Sequence, residues 1–341
     1  MTQIIAGIGP FVNHYNGGRK PGLAEEIELI RVGVAGWDYP DWGGIVYPAP
    51  APRGFDRLSF LAEYFAAVEI NSTFYRQPDP KAARSWVSRV SSKGSFQFTA
   101  KLFQLLTHAP TGSLASRDRS AAAPAALDLR AEARTFLTGI DPLREAGRLG
   151  AVLMQFPHAF HDRPQSRAHL ETLAGLLPGL PLVAEFRHRS WDNEAALAFL
   201  RDLGVGFCNI DQPALGATLP PTAHATSRVA YVRLHGRNAA NWFAPREDAG
   251  ARYDYFYSPE ELRPWVERTR SIAAGAEEVF VIANNHYRGK GPANALMLSS
   301  AVSRQRVRAP ASLVAAFPDL KEMADPVETR KREAPRQRRL F

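Results

Sequence analysis

The 341-residue chain has one cysteine, Cys208, which excludes a disulfide scaffold and a Cys-rich zinc module. No stretch approaches the roughly 18 consecutive apolar residues that a membrane span needs. The N-terminus shows no basic segment leading into a long apolar run, so no export signal is read, no membrane partner is expected and the cytoplasm is the expected compartment. There is no internal repeat, and neither HExxH nor DxD occurs, so no short metal-binding motif is present. Acidic residues are the minority charge, 34 against 42 Lys and Arg, for a net +8. Most of that excess lies in the last dozen residues, Arg330–Phe341 (RKREAPRQRRLF), with a net of +5. A short, basic, Pro-containing tail cannot bury a core and is expected to be disordered. The body is therefore only mildly basic, and the charge alone does not define a nucleic-acid groove.

Eight short, β-rich apolar runs punctuate the chain. They are Ile30–Trp37, Ala67–Phe74, Phe96–Leu102, Gly150–Phe156, Leu182–Arg187, Gly204–Ile210, Val229–His235 and Glu278–Asn284. Helix-like stretches intervene, among them Pro80–Val90, Arg167–Leu177 and Ser258–Ile272, the last opening Ser-Pro-Glu-Glu as a helix N-terminus does. Apolar strands alternating with helices indicate a parallel sheet covered on both faces. Eight such units indicate a closed α/β barrel of the TIM (β/α)8 type over residues 30–304. Residues 1–29 and 305–341 are read as extensions, and residues 104–148 as a long loop followed by a helix.

In such a barrel, chemistry sits at the C-terminal ends of the strands. There the sequence places Glu69 and Asn71, Thr99 and Lys101, Gln155, Glu185 and Arg187, Asn209 and Asp211, Arg233 and His235, and then Asn284 and Asn285. Residues two apart on a strand share a face, so the pairs spaced by two are each expected to point into the barrel, and Cys208, of opposite parity to Asn209 and Asp211, toward the helices. Buried charge is costly, and many strands delivering it to one end favours a functional cleft. The competing reading is a self-satisfied network plugging the barrel, such as Glu69–Lys101 and Glu185–Arg233.

The motifs also resemble those of one family. Gly36-Trp37-Asp38-Tyr39-Pro40-Asp41-Trp42 and Val68-Glu69-Ile70-Asn71-Ser72-Thr73-Phe74-Tyr75 are followed by Gln155-Phe156-Pro157 and Glu185-Phe186-Arg187-His188-Arg189-Ser190-Trp191. Tyr231-Val232-Arg233-Leu234-His235-Gly236 and Asn284-Asn285 complete a set that resembles the DUF72 (YecE-like) family over roughly residues 31–300. The resemblance implies a TIM barrel and no particular activity. At the eighth strand the sequence runs on into His286-Tyr287, a departure from the usual pattern.

Three functions fit the residues. The first is an enzyme, a phosphoester-directed hydrolase, acting on a phosphate-containing small molecule or nucleic acid. Lys101, Arg187 and Arg233 would contact phosphate, with Trp37, Asn71, Gln155, Asn284 and Asn285 in the substrate site and aromatic loops for stacking. Glu69, Glu185, Asp211 and His235 would act as general acid and base, or as ligands of a divalent metal. The second is a sugar isomerase or glycosidase built on Glu69 and Glu185. The third is an adaptor: Gln337, Leu340 and Phe341 resemble the Gln-x-x-Leu-Phe peptide that docks on the DNA sliding clamp, in which Leu and Phe fill apolar pockets.

Overall fold

The computed structural model describes residues 28–108, 128–242 and 250–328. Eight parallel strands close into a barrel in sequence order. They are β1 (Ile30–Ala35), β2 (Ala67–Ile70), β3 (Gln97–Lys101), β4 (Leu149–Gln155), β5 (Leu182–Glu185), β6 (Gly206–Asp211), β7 (Val229–Leu234) and β8 (Glu278–Ala283). β8 returns to β1 through the register Val32↔Val281 and Gly33↔Ile282. This is the (β/α)8 architecture the sequence pattern calls for. The largest difference in extent is at β2, where the chain leaves the sheet at Asn71 and makes one helical turn, Ser72–Tyr75. Pairing has stopped, so Asn-Ser-Thr polarity replaces the apolar run.

Local chemistry accounts for the helices. Asp79 caps Pro80–Arg89, and Asp128 caps Leu129–Glu145 through the amides of Arg130 and Ala131. Ser258 and Glu261 form a reciprocal capping box on Pro259–Ala273. Such caps each contribute about 1 kcal/mol. The helix Glu194–Leu203 starts on Asn193 and stops at Gly204, whose φ of 69° a side chain would resist.

The crossover from β6 to β7 is different. Residues 212–228 contain no helix, and an extended loop covers the outer face of β6. Backbone groups of that loop need partners, and β6 supplies them. Asn209 donates to the carbonyl of His224 (2.9 Å) and accepts from the amide of His224 (2.7 Å) and the hydroxyl of Thr222 (2.8 Å). Polar residues on this strand therefore face outward.

Apolar contact holds both faces of the barrel. Phe156, Phe160, Phe186 and Trp191 form an outer stack, with Phe186 and Trp191 centroids 4.0 Å apart. Each fully buried side chain of this size contributes roughly 1.5–3 kcal/mol. Within the barrel, Phe280 fills the floor at Gly150, where a Cβ would lie 2.1 Å from the ring. The adjoining β3–β4 register shift between Phe98 and Thr99 places Gly150 there. Beyond the helix Lys290–Ser303, β9 (Val307–Pro310) and β10 (Ala324–Val327) form a two-stranded parallel sheet. Ala309, Leu313, Leu320 and Ala324 carry it into the barrel's own hydrophobic cluster. Among the described residues no helix is long and apolar enough to cross a membrane. Residues 1–27 and the docking candidates Gln337, Leu340 and Phe341 lie outside the described residues.

Candidate functional site at the barrel mouth

The strand ends surround a cavity of about 580 Å³. Its floor includes Lys101, Gln155, Arg233 and Asn284, and its walls include Asn71, Trp37, Tyr39, Tyr253 and His286. His286 stacks on Tyr39 (4.3 Å) and leans on Tyr253 (4.8 Å). Burial pushes its imidazole down to about 4, so it is a neutral aromatic wall near pH 7.

Beneath the floor lies a buried ionic network. The Arg233 guanidinium donates through Nη2 to Glu69 (2.6 Å) and through Nη1 to Glu185 (2.5 Å). Both carboxylates are 0% exposed and Arg233 is 1% exposed. Arg187 pairs with the other Glu185 oxygen at 2.5 Å. Tyr231 donates its hydroxyl proton to Glu69 (2.9 Å), so the 2.7 Å contact with Thr99 has the threonine as donor. Burial alone would raise the Glu185 pKa, but Arg187 and Arg233 hold it well below the ordinary carboxylate range. Burial alone would also lower Arg233, yet Glu185 and Glu69 lock its charge in place.

His235 completes this layer. Asn284 donates to its Nδ1 (2.9 Å), which leaves the proton on Nε2, 3.5 Å from Glu185. Burial, then the Arg187 charge, lowers its pKa to about 3, and the ring is neutral. Trp242 borders the same corner, edge-on to His235 and under the Arg187 guanidinium.

Lys101 stands apart. It is 6% exposed, and among the described residues it has no ion-pair partner. Its Nζ lies 4.1 Å from the centroid of the Phe74 ring. Burial, reinforced by Arg233, lowers its pKa to about 7. Its carbonyl accepts a hydrogen bond from Thr73 at 2.7 Å, which fixes the end of β3.

The structure thus gathers Glu69, Lys101, Gln155, Glu185, Arg187, Arg233, His235 and Asn284 at one end of the barrel, with Asn71 and Trp37 on the wall. Two of the candidates lie elsewhere. Asp211 faces outward, accepting from Arg237 (2.7 Å) and from the Trp265 indole (2.5 Å) on the helix Pro259–Ala273. Asn285 also turns outward, to the Tyr255 carbonyl and Asn294, both at 2.8 Å. The parity expected for β6 is inverted. Register pairs Cys208 with Tyr231 and Ile210 with Arg233, so Cys208 lies inside the barrel, where burial and then Glu185 raise its thiol pKa well above normal. The expected Glu69–Lys101 pair does not form, because Arg233 takes both carboxylates. Tyr231, Arg252 and Tyr253 join the site without a signal of their own in the sequence pattern. Tyr231 reads as an apolar strand residue, and the other two belong to a segment without regular pattern.

The donor set does not suit a resident metal. Glu69 and Glu185 are bound to one guanidinium, Asp211 is outside, and no group of three or more His, Cys, Asp or Glu in metal-holding geometry occurs among the described residues.

The fold and site define a TIM barrel whose polar mouth is floored by a buried ionic network. The family model "Protein of unknown function DUF72" matches residues 31–316, and the chain belongs to that family. Among solved structures it is similar to a DUF72 family protein from Thermotoga maritima (32% identity, TM-score 0.65), covering 80% of this chain and 98% of that one. It is also similar to one from Enterococcus faecalis (24% identity, TM-score 0.66), covering 80% and 95%. No curated protein matches.

Proposed function

We propose that the protein is an enzyme that takes a phosphate-bearing substrate in the barrel-mouth cavity. One observation carries this reading: the cavity presents cations while the barrel's carboxylates are turned beneath them. Glu69 and Glu185 are matched by Arg233 and Arg187, which leaves Lys101 as a surplus nitrogen on the floor. The acid in the described lining, Asp38, is ion-paired with Arg57 at the rim. Arg252 adds a further cation to the wall. In a recessed, poorly solvated site such donors favour phosphate oxygens strongly. Trp37, Tyr39 and Tyr253 suit a sugar or base beside the phosphate, so a nucleotide or a nucleic-acid end falls within the same class.

Lys101 carries the proton chemistry in this reading. A group titrating near 7 both donates and accepts protons at working pH. Glu69 and Glu185 position Arg233 and hold its charge, and His235 supports Glu185. A glycosidase reading is not favoured, since its two carboxylates share one guanidinium under the floor. Calorimetric titration with inorganic phosphate and a nucleoside monophosphate tests the proposal. Binding is expected to weaken about tenfold in Lys101→Met, the equivalent of one charge-assisted hydrogen bond. Heats no different from those of chloride and the free nucleoside would reject it.

A further inference from the structure

We infer that Lys101 is an imine-forming nucleophile toward the carbonyl carbon of a small phosphate-bearing aldehyde or ketone. The phosphate part of this inference rests on the function proposed above, and the nucleophile part rests on the lysine's own surroundings. An ordinary lysine is protonated at neutral pH and has no lone pair to offer; desolvation and cationic neighbours remove that obstacle. Lys101 has both. Its side chain is nearly enclosed, it lines the cavity, and its nitrogen faces the Phe74 ring where a structural lysine would face a carboxylate. The charged groups around it are Arg233, Arg187, Glu69 and Glu185, and both acids are already held by guanidiniums. His108 is the imidazole nearby, and burial, then Lys101 itself, lowers its pKa. The outcome is an amine with a pKa near 7, on a strand end held by the Thr73 hydroxyl, which donates to the Lys101 backbone carbonyl.

The step balances without an oxidant or reductant. The Nζ lone pair attacks the carbonyl carbon, and the C=O π pair moves to oxygen, which takes up a proton. The nitrogen loses a proton to solvent, the carbinolamine hydroxyl takes up a proton and leaves as water as the nitrogen lone pair forms the C=N bond, and the nitrogen's remaining proton returns to solvent. Amine and carbonyl compound give imine and water. Arg233 and Arg252, which line the same cavity, face the substrate's phosphate during this exchange.

The whole protein is incubated with glyceraldehyde 3-phosphate, or with glyceraldehyde, in the presence of cyanoborohydride, which reduces the imine to a stable amine. Peptide mapping then compares Lys101 with the exposed Lys81 and Lys321. Expected is an adduct on Lys101 ahead of both, forming faster with the phosphorylated aldehyde and rising as pH passes through 7. Absence of an adduct on Lys101, or labelling no faster than at Lys81 and Lys321, overturns the inference. Equal labelling by the two aldehydes keeps the nucleophile and overturns the phosphate preference, so the two readings fail separately. Comparison within the wild-type chain needs no folded Lys101 variant.

Discussion

Replacing Arg233 by methionine tests the network under the cavity. The substitution keeps an unbranched apolar stem and removes a guanidinium that holds two carboxylates, each 0% exposed, at 2.5 and 2.6 Å. Removing one member of a buried ion pair costs about 3–5 kcal/mol, because the partner charge stays behind. Two carboxylates are stranded here, but Glu185 keeps Arg187 and Glu69 keeps the Tyr231 hydroxyl, so the loss should stay within about 3–5 kcal/mol rather than double. For a chain of this size the midpoint should fall by roughly 4–7 °C. The sign of the pH dependence follows from each carboxylate. In the wild type, Glu185 lies below its unfolded value, so its stabilisation is present near neutrality and is lost as pH falls. In Arg233→Met, buried carboxylates lose their guanidinium and burial disfavours their charged form, so the variant is penalised at neutral pH and relieved in acid. The gap between the proteins must shrink between about pH 7.5 and 4.5. Urea unfolding followed by circular dichroism at both pH values measures it. Adding Glu69→Gln and Glu185→Gln to the variant should restore part of the loss. A deficit below about 1 kcal/mol, the range of an exposed pair, or one that does not change with pH, refutes the argument.

Asp211→Asn should cost about 1–3 kcal/mol through weakened bonds to Arg237 and Trp265. Phosphate affinity by calorimetry should not change, because Asp211 lies outside the cavity; a tenfold loss would return it to the site. Lys101 releases its proton near pH 7 in the native state, whereas the unfolded chain holds it to about 10.4. Wild-type stability should therefore rise across that window, and Lys101→Met should lack the rise; parallel urea midpoints from pH 6.5 to 9.5 would contradict it. For the tail, immobilised sliding clamp should retain the wild type and release Leu340→Ala/Phe341→Ala, and equal retention rejects the docking proposal.

The barrel was legible because its signals are local and repeated. Each strand is a short apolar run, and four of the longer helices start on a residue whose side chain caps them, Asp79, Asp128, Asn193 or Ser258. The site was legible only in part, because two questions depend on distant partners. Which way β6 faces is decided by what covers its outer side. The β6–β7 connection has no helix, so Asn209 and Asp211 serve the outer layer, and polarity there marks structure rather than chemistry. Which cation meets which acid is decided by barrel closure. Lys101, on β3 beside β2, is the Glu69 partner suggested by sequence adjacency, yet Arg233 reaches both acids across the lumen from β7.

That substitution of partners changes the chemistry open to the site. Had Lys101 neutralised Glu69, it would be a fixed ammonium and the carboxylates would be the reactive groups. With Arg233 spanning both acids, the carboxylates are committed to holding a permanent cation, and burial, reinforced by that cation, depresses Lys101. The same guanidinium therefore silences two candidate catalytic acids and adds to the burial that activates one amine. Because an arginine keeps its charge throughout the accessible pH range, this division of roles is set by the fold itself, and among the described residues of the cavity floor the group that titrates near neutrality is Lys101.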